Sequence, residues 1–283
     1  MHTSAPGRQS TTNSGTAFVR RMALWRTLLE QCAHHPGRKC VHELRVATQR
    51  LLAEAEYCLR LQKPAPKGER LLRRWRKQGK RLRRALAPLR EVDASLPRLA
   101  GLRKMLAAGA EQTPSSRQCQ RQALRLEASL KRQRQRAAQS LCRWIVKRQK
   151  RLQSLSRQAA SLLALPMQSL AESAAQSLPE LMRELAARFS PQDADSLHAF
   201  RKRVKKVRSL AVIAGADPAL HALAVELRAV QAAAGEWRDW QVLAEIAHLN
   251  RAGQLALLLD ARACQALQRA RAQGGRFKSL FAA

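Results

Sequence analysis

The chain carries 53 Lys and Arg against 20 Asp and Glu over 283 residues, a formal charge of +33 at pH 7. Its hydrophobic fraction of 46% supports a buried core, so the charge does not imply general disorder. The excess calls for a polyanionic partner and leaves too few carboxylates for a site that grips cations, and 4% aromatic residues are thin for a β protein or a base-stacking platform.

Nearly every segment is built from Ala, Leu, Arg, Gln, Glu and Lys, all strong helix formers, and runs of alternating β-branched residues are missing. The opening MHTSAPGRQSTTNSGT lacks the apolar core of a signal peptide, so 1–15 reads as a disordered leader. Val41, Leu44, Leu51, Leu52, Ala55 and Leu59 recur at helical spacing and predict a helix over about 38–62. Pro64 and Pro66 separate it from a second helix over about 67–86. Pro88 and Pro97 bracket a short piece, followed by a helix over about 97–108. Glu111–Pro114 interrupts the chain, with Ser115 or Ser116 as N-cap. Residues 117–164 contain neither Pro nor Gly and predict one long helix, roughly 70 Å at 1.5 Å per residue, ended by Pro166. A helix near 168–189 contains Pro179 as a kink. Ser190–Asp193 caps a helix over about 193–214, and Gly215–Pro218 starts another that Gly235 closes. Helices over about 239–251 and 254–273 follow, and 276–283 is a tail.

One pattern occurs twice. His42-Glu-Leu-Arg45-Val-Ala-Thr-Gln49-Arg50-Leu-Leu52 matches His198-Ala-Phe-Arg201-Lys202-Arg-Val-Lys205-Lys206-Val-Arg208. Further on, Ala87-Pro-Leu-Arg90-Glu91 matches Gly235-Glu-Trp-Arg238-Asp239. The shared order predicts two related halves, about 16–130 and 131–275, split by the long helix, each a small antiparallel bundle of about four helices. The spacing of 3, 4 and 3 puts His198, Arg201, Lys205 and Arg208 on one helix face, beside an apolar face of Leu197, Phe200, Val204 and Val207. Stacked like charges destabilise a helix, so stability gives no reason for them, whereas a bound polyanion does.

Two basic stripes extend the pattern. Arg70, Arg73, Lys77, Lys80 and Arg84 share one face, broadened by Arg74, Arg81 and Arg83. In the long helix Arg121, Arg125, Arg132, Arg136, Arg143, Lys147 and Lys150 run beside an apolar stripe of Leu126, Leu130, Ala137, Leu141, Ile145 and Leu152. Glu127 is the only acid in 117–157, whereas a solvated face intersperses both signs. Glu91 and Asp239 are expected at helix starts, as caps or as second-row partners that orient a base or histidine.

The paired His-x-x-Arg helices, the following Arg-acid elements and the basic all-helical chain resemble the CHAD family (conserved histidine α-helical domain) over about residues 15–275. The resemblance implies an all-α fold of two pseudo-symmetric bundles that binds inorganic polyphosphate. It points to His42, Arg45 and Arg50 in the first half and to His198, Arg201, Lys205, Lys206 and Arg208 in the second, and the neighbouring Lys202 is counted in the same basic site. Gln49 and Leu52 depart from the basic residues usual there, which makes the first half-site the weaker. The triphosphatase signature of many members is absent, since Glu54-Ala-Glu56 lacks the following Lys, so the chain looks like a stand-alone member.

The cysteines at 32, 40, 58, 119, 142 and 264 form no Cys-x-x-Cys pair and have no His at zinc-ligand spacing, so they read as buried, reduced thiols of a cytoplasmic protein with no metal. No run of about 18 apolar residues occurs, which argues against a membrane span. Neither a glycine-rich phosphate loop nor a catalytic constellation stands out, and no cofactor is expected. The expectation is a non-enzymatic polyphosphate-binding module, associated with polyphosphate granules, with His42 and His198 gaining charge-assisted bonds to phosphate. Nucleic acid is the rival ligand and the weaker competitor, for want of aromatics and of a recognised signature; a polyphosphate hydrolase is the third reading, opposed by the shortage of paired carboxylates.

Overall fold

In the computed structural model, residues 11–62, 64–108, 113–163, 166–187, 194–214 and 218–279 are described, and no strand occurs among them. The helices are α1 (Thr11–His34), α2 (Arg38–Tyr57), α3 (Pro66–Ala85), α4 (Ala87–Ala108), α5 (Pro114–Val146), α6 (Gln149–Leu163), α7 (Pro166–Ala187), α8 (Ala194–Ala214), α9 (Pro218–Leu249) and α10 (Gly253–Ser279). A π-helical turn, Cys58–Gln62, extends α2. The all-α expectation therefore holds.

Several boundaries differ from the sequence pattern. Helix α1 begins at Thr11, inside the expected leader, and buries Phe18, Met22, Trp25, Leu29 and Cys32; residues 1–10 lie outside the described part. Helix α10 runs to Ser279, so the expected tail is helical over 276–279. The long helix is two: at Lys147–Arg148 the Arg148 N–H bonds to the Ile145 carbonyl, 2.8 Å away and three residues back, which ends the α-helical ladder. The Arg148 guanidinium lies over the Trp144 ring, 4.7 Å from its centre. Pro97 sits within α4 and Gly235 within α9, where tertiary burial of Leu99 and Trp237 outweighs weak helix propensity. The N-cap of α5 is Thr113 rather than Ser115 or Ser116; its Oγ1 accepts the Ser116 N–H at 3.2 Å, with Pro114 in the first turn. The expected cap at 190–193 falls outside the described residues.

The chain forms two compact units. The first comprises Met1–Leu86, Leu141–Leu181 and Lys206–Ala224; the second comprises Ala87–Ser140, Met182–Lys205 and Val225–Ala283. Each unit draws on residues from both of the expected halves.

In the first unit α1 packs on α2, α2 on α3, α3 on α6 and α6 on α1, which closes a four-helix arrangement. The Trp25 and Trp75 rings meet edge to face, 4.8 Å between centres. Trp25 Nε1 donates to Thr48 Oγ1 at 2.9 Å, and that hydroxyl donates to the Leu44 carbonyl at 2.7 Å. A buried indole N–H thus finds a partner without unravelling α2. Gly79 of α3 lies against Leu52, whose Cδ2 would stand 2.8 Å from an added Cβ. In the second unit Val92, Leu99 and Leu102 of α4, Ala123, Leu126 and Leu130 of α5, Leu243 and Ala247 of α9, and Leu255 and Leu259 of α10 share one core. Phe200 of α8 meets Phe277 of α10 edge to face at 6.2 Å.

Two stability predictions follow from local geometry. Helix α9 ends with Arg251 at φ 54°, while the Ala252 N–H bonds back to the Ala247 carbonyl at 3.0 Å. A left-handed residue at this closing position favours glycine. Arg251→Gly is expected to raise unfolding stability by about 1 kcal/mol, and Arg251→Val to lower it, measured by denaturant titration. In the first unit burial pushes the Glu54 carboxyl up to about 7, against the pull of Arg21, whose Nε is 2.8 Å away, and of Arg50. A raised carboxyl contributes stability that is fully present below its unfolded value and lost as pH rises through about 7. Glu54→Gln should therefore gain melting temperature relative to the parent between pH 5 and pH 8; a variant that loses ground over that interval would contradict this.

Candidate functional site

Helix α3 separates its residues sharply. Leu71, Leu72, Trp75, Gln78, Gly79 and Leu82 are buried, while Arg70, Arg73, Arg74, Lys77, Lys80, Arg81, Arg83 and Arg84 are all exposed. The only acid on this helix is Glu69, which pairs with Arg73 at 2.6 Å. The rest of the basic face has no carboxylate on its own helix to neutralise it.

The two motif helices place their matching residues differently. On α8 His198, Arg201, Lys205 and Arg208 are all half-buried, between the buried Leu197, Phe200, Val204 and Val207 and the exposed Lys202, Arg203 and Lys206. The spacing thus gives one face. On α2 His42 and Arg50 are exposed, Arg45 and Gln49 are half-buried, and Leu52 is buried against Gly79. Leu52 is a core residue, which explains why no base occupies that position. His42 and Arg50 also edge a groove of about 390 Å³ between α1 and α2, floored by Leu24, Leu28, Val46 and Ala47.

Acidic residues gather these bases. In the first unit Glu56 of α2 bonds Arg76 of α3 at 3.3 Å and Lys206 of α8 at 3.5 Å. The Tyr57 hydroxyl donates to the Lys206 carbonyl at 3.2 Å, and burial pushes this phenol up to about 12. The Glu54-x-Glu56 string is thus spent on arginine and lysine pairs. In the second unit Asp239 receives Arg90 through two bonds of 3.1 and 3.4 Å and Arg98 at 2.9 Å. Arg201 stands in the same cluster. Its burial, with repulsion from Arg238 and Arg90, pulls its guanidinium below the ordinary arginine value, and Asp239 opposes that shift.

The expectation that Asp239 and Glu91 cap helices fails: Asp239 lies deep within α9 and Glu91 within α4. Sequence reading also passed over Arg90 and Arg98 as site residues, although the repeat of Arg90-Glu91 as Arg238-Asp239 marked this neighbourhood. On α5 Arg132, Arg136 and Arg143 are exposed along the helix, as are Arg121 and Arg125, while Leu126, Leu130, Leu141 and Ile145 are buried. Between Arg132 and Arg136, the half-buried Arg134 reaches the buried Asp93 at 2.6 Å.

Cys32, Cys58 and Cys119 are buried, Cys40 and Cys142 are half-buried, and Cys264 is exposed, which corrects the expectation of six buried thiols. Burial pushes the Cys32 thiol up, and carries Cys58 to about 11. Among the described residues no group of three or more His, Cys, Asp or Glu is placed to hold a metal ion. No described helix is long and apolar enough to cross a membrane.

Comparison with known proteins fits this picture. No curated protein matches the sequence. The fold is similar to the crystal structure of the CHAD domain from the plant Ricinus communis, with a TM-score of 0.58 and 17% sequence identity, over 94% of this chain and 87% of that one. A family model of the CHAD domain matches residues 22–247, most of the sequence, and the chain therefore belongs to the CHAD domain family.

Proposed function

We propose that this protein binds inorganic polyphosphate and does not transform it. The observation that carries the reading is the outer surface of α3, where nine Arg and Lys side chains, Lys67 included, are exposed and one acid shares the helix. Polyphosphate has about one negative charge per phosphate and offers no bases to read. A protein that holds it needs repeated cations rather than a sequence-reading surface. Arginine supplies 40 of the 53 basic residues. Its planar fork fits two phosphate oxygens at once, where lysine offers a point charge. The CHAD family's link to polyphosphate supports the same ligand.

The half-buried face of His198, Arg201, Lys205 and Arg208 supplies orientation, and the exposed Lys202 and Lys206 add charge. His42, Arg45 and Arg50 form the weaker counterpart, supplemented by Arg73, Arg74, Lys77, Lys80, Arg81 and Arg84. Arg132, Arg136 and Arg143 extend the contact along α5. Binding then follows from electrostatic tracking and counterion release, and recruits a cytoplasmic protein to polyphosphate granules.

The test is competition at fixed salt between long-chain polyphosphate, duplex DNA and single-stranded RNA. Polyphosphate is expected to win; nucleic acid winning would replace this reading. Affinity should fall by about a thousandfold between 50 and 200 mM salt if six or more phosphates are neutralised. Arg201→Ala/Lys205→Ala should weaken binding by about tenfold or more, and by more than Arg45→Ala/Gln49→Ala, with helicity checked by circular dichroism. Incubation with polyphosphate and Mg²⁺ or Mn²⁺ should release no phosphate; release would identify a hydrolase.

A further inference from the structure

We infer that Asp239 is a positioning residue, an acid that holds Arg90 and Arg98 of α4 beside Arg201 of α8 as a preformed phosphate clamp in the second unit. The inference rests on the polyphosphate reading and adds to it a discrete subsite with its organiser. An acid within a site for a polyanion looks unfavourable by charge alone. Its geometry gives the reason for its presence. Arg90 approaches with both terminal nitrogens, Nη1 to Oδ1 at 3.1 Å and Nη2 to Oδ2 at 3.4 Å, and Arg98 Nη2 reaches Oδ2 at 2.9 Å. Arg98 is fixed a second time, because its Nη1 donates to the Ala94 carbonyl at 2.9 Å.

A guanidinium has five N–H donors, so both arginines keep donors to spare after these bonds. Their side chains are 30% and 28% exposed, against 16% for the Asp239 carboxylate beneath them. The arginines are therefore held by the acid and still reach solvent. Arg201 adds a third guanidinium, half-buried, whose Nε is buried with no hydrogen-bond partner among the described residues. One carboxylate thus stands against three guanidinium groups, while Arg238 is engaged by Glu245 at 3.1 Å. The cluster keeps an excess of positive charge that is fixed in place before a ligand arrives. Without Asp239 the three cations would repel one another into separate rotamers, and a phosphate would have to order each of them as it bound.

The test sets the sign of the charge effect against the sign of the positioning effect. Asp239→Asn makes the protein more positive and should, by charge alone, tighten a polyanion. The amide has no charge and one acceptor oxygen, and its NH₂ group would face the Arg90 Nη1 that now bonds to Oδ1, so the two-pronged hold on Arg90 and the attraction that gathers the cations are both lost. Positioning therefore requires Asp239→Asn to bind long-chain polyphosphate about tenfold more weakly than the parent, with Asp239→Glu recovering part of the loss. The control is Glu91→Gln, an exposed acid on α4, which should bind as well as the parent or better. Arg90→Lys and Arg98→Lys keep the net charge and remove the fork, and each should also weaken binding if the clamp exists. These two variants decide the matter if Asp239→Asn fails to fold. Asp239→Asn binding as tightly as the parent, or both lysine variants doing so, would overturn the clamp while leaving polyphosphate binding intact. A parent protein that does not bind polyphosphate would sink the functional reading itself.

Discussion

The governing constraint is a shortage of carboxylate. With 20 acids for 53 bases, most cations cannot find an internal partner. The fold answers by sharing acids. Glu56 serves Arg76 and Lys206, Asp239 serves Arg90 and Arg98, and Glu127 serves Lys131 at 2.8 Å and Arg103 at 3.4 Å. The Lys131 bond, helped by the charges of Lys131 and Arg103, holds the Glu127 carboxyl below its ordinary value. It is the shared acid that is partly withdrawn from water, where an unpaired charge is costly, while Lys131 and Lys206 among its partners stay exposed. On the outer faces of α3 and α5 water and salt screen the remaining cations, and repulsion there is tolerable.

That division links packing to the proposed function. Arg76, Arg90, Arg98 and Arg134 are paired close to the cores, Arg73, Lys131 and Lys206 are paired at exposed positions, and the outer faces of α3 and α5 carry further bases opposite buried faces. Helix α8 shows both grades within a few residues. Phe200 and Val204 anchor it, Arg201 and Lys205 lie half-buried beside them, and Lys202 and Lys206 reach outward. Under the polyphosphate reading the half-buried group gives geometry and the outer group gives long-range attraction. The two make different demands: fixed guanidinium groups lose less freedom on binding, while exposed lysines mainly raise the local potential.

Stability and function compete for the same residues. Thr48 and Trp25 satisfy each other in the first core, and Leu52 fills the space above Gly79. These requirements fix α2 so firmly that the position matching Arg208 is apolar. Packing thus accounts for Leu52, while Gln49, half-buried on the same helix, is a second position where the first motif lacks the cation of the second.

Composition and periodicity were enough to read the all-α class, because strong helix formers and apolar residues at threes and fours leave little choice of local structure. The face shared by His198, Arg201, Lys205 and Arg208 was legible for the same reason: on a helix, spacing sets direction. Where helices stop was less legible. The turn at Lys147–Arg148 contains neither Pro nor Gly, so no residue type marks it in the sequence, although Arg148 lies over Trp144 there. Gly235 carries a stop signal that packing of α9 overrides. The grouping of Arg90, Arg98 and Arg201 about Asp239 belongs to tertiary structure alone. These residues come from three helices far apart in the chain, and a carboxylate in sequence does not show which cations it will hold. The sequence by itself determined that the protein is helical and strongly basic, with far more cations than acids to pair them. Only the tertiary structure decided which bases are neutralised from within and which face solvent, because that depends on distance and burial rather than on order along the chain.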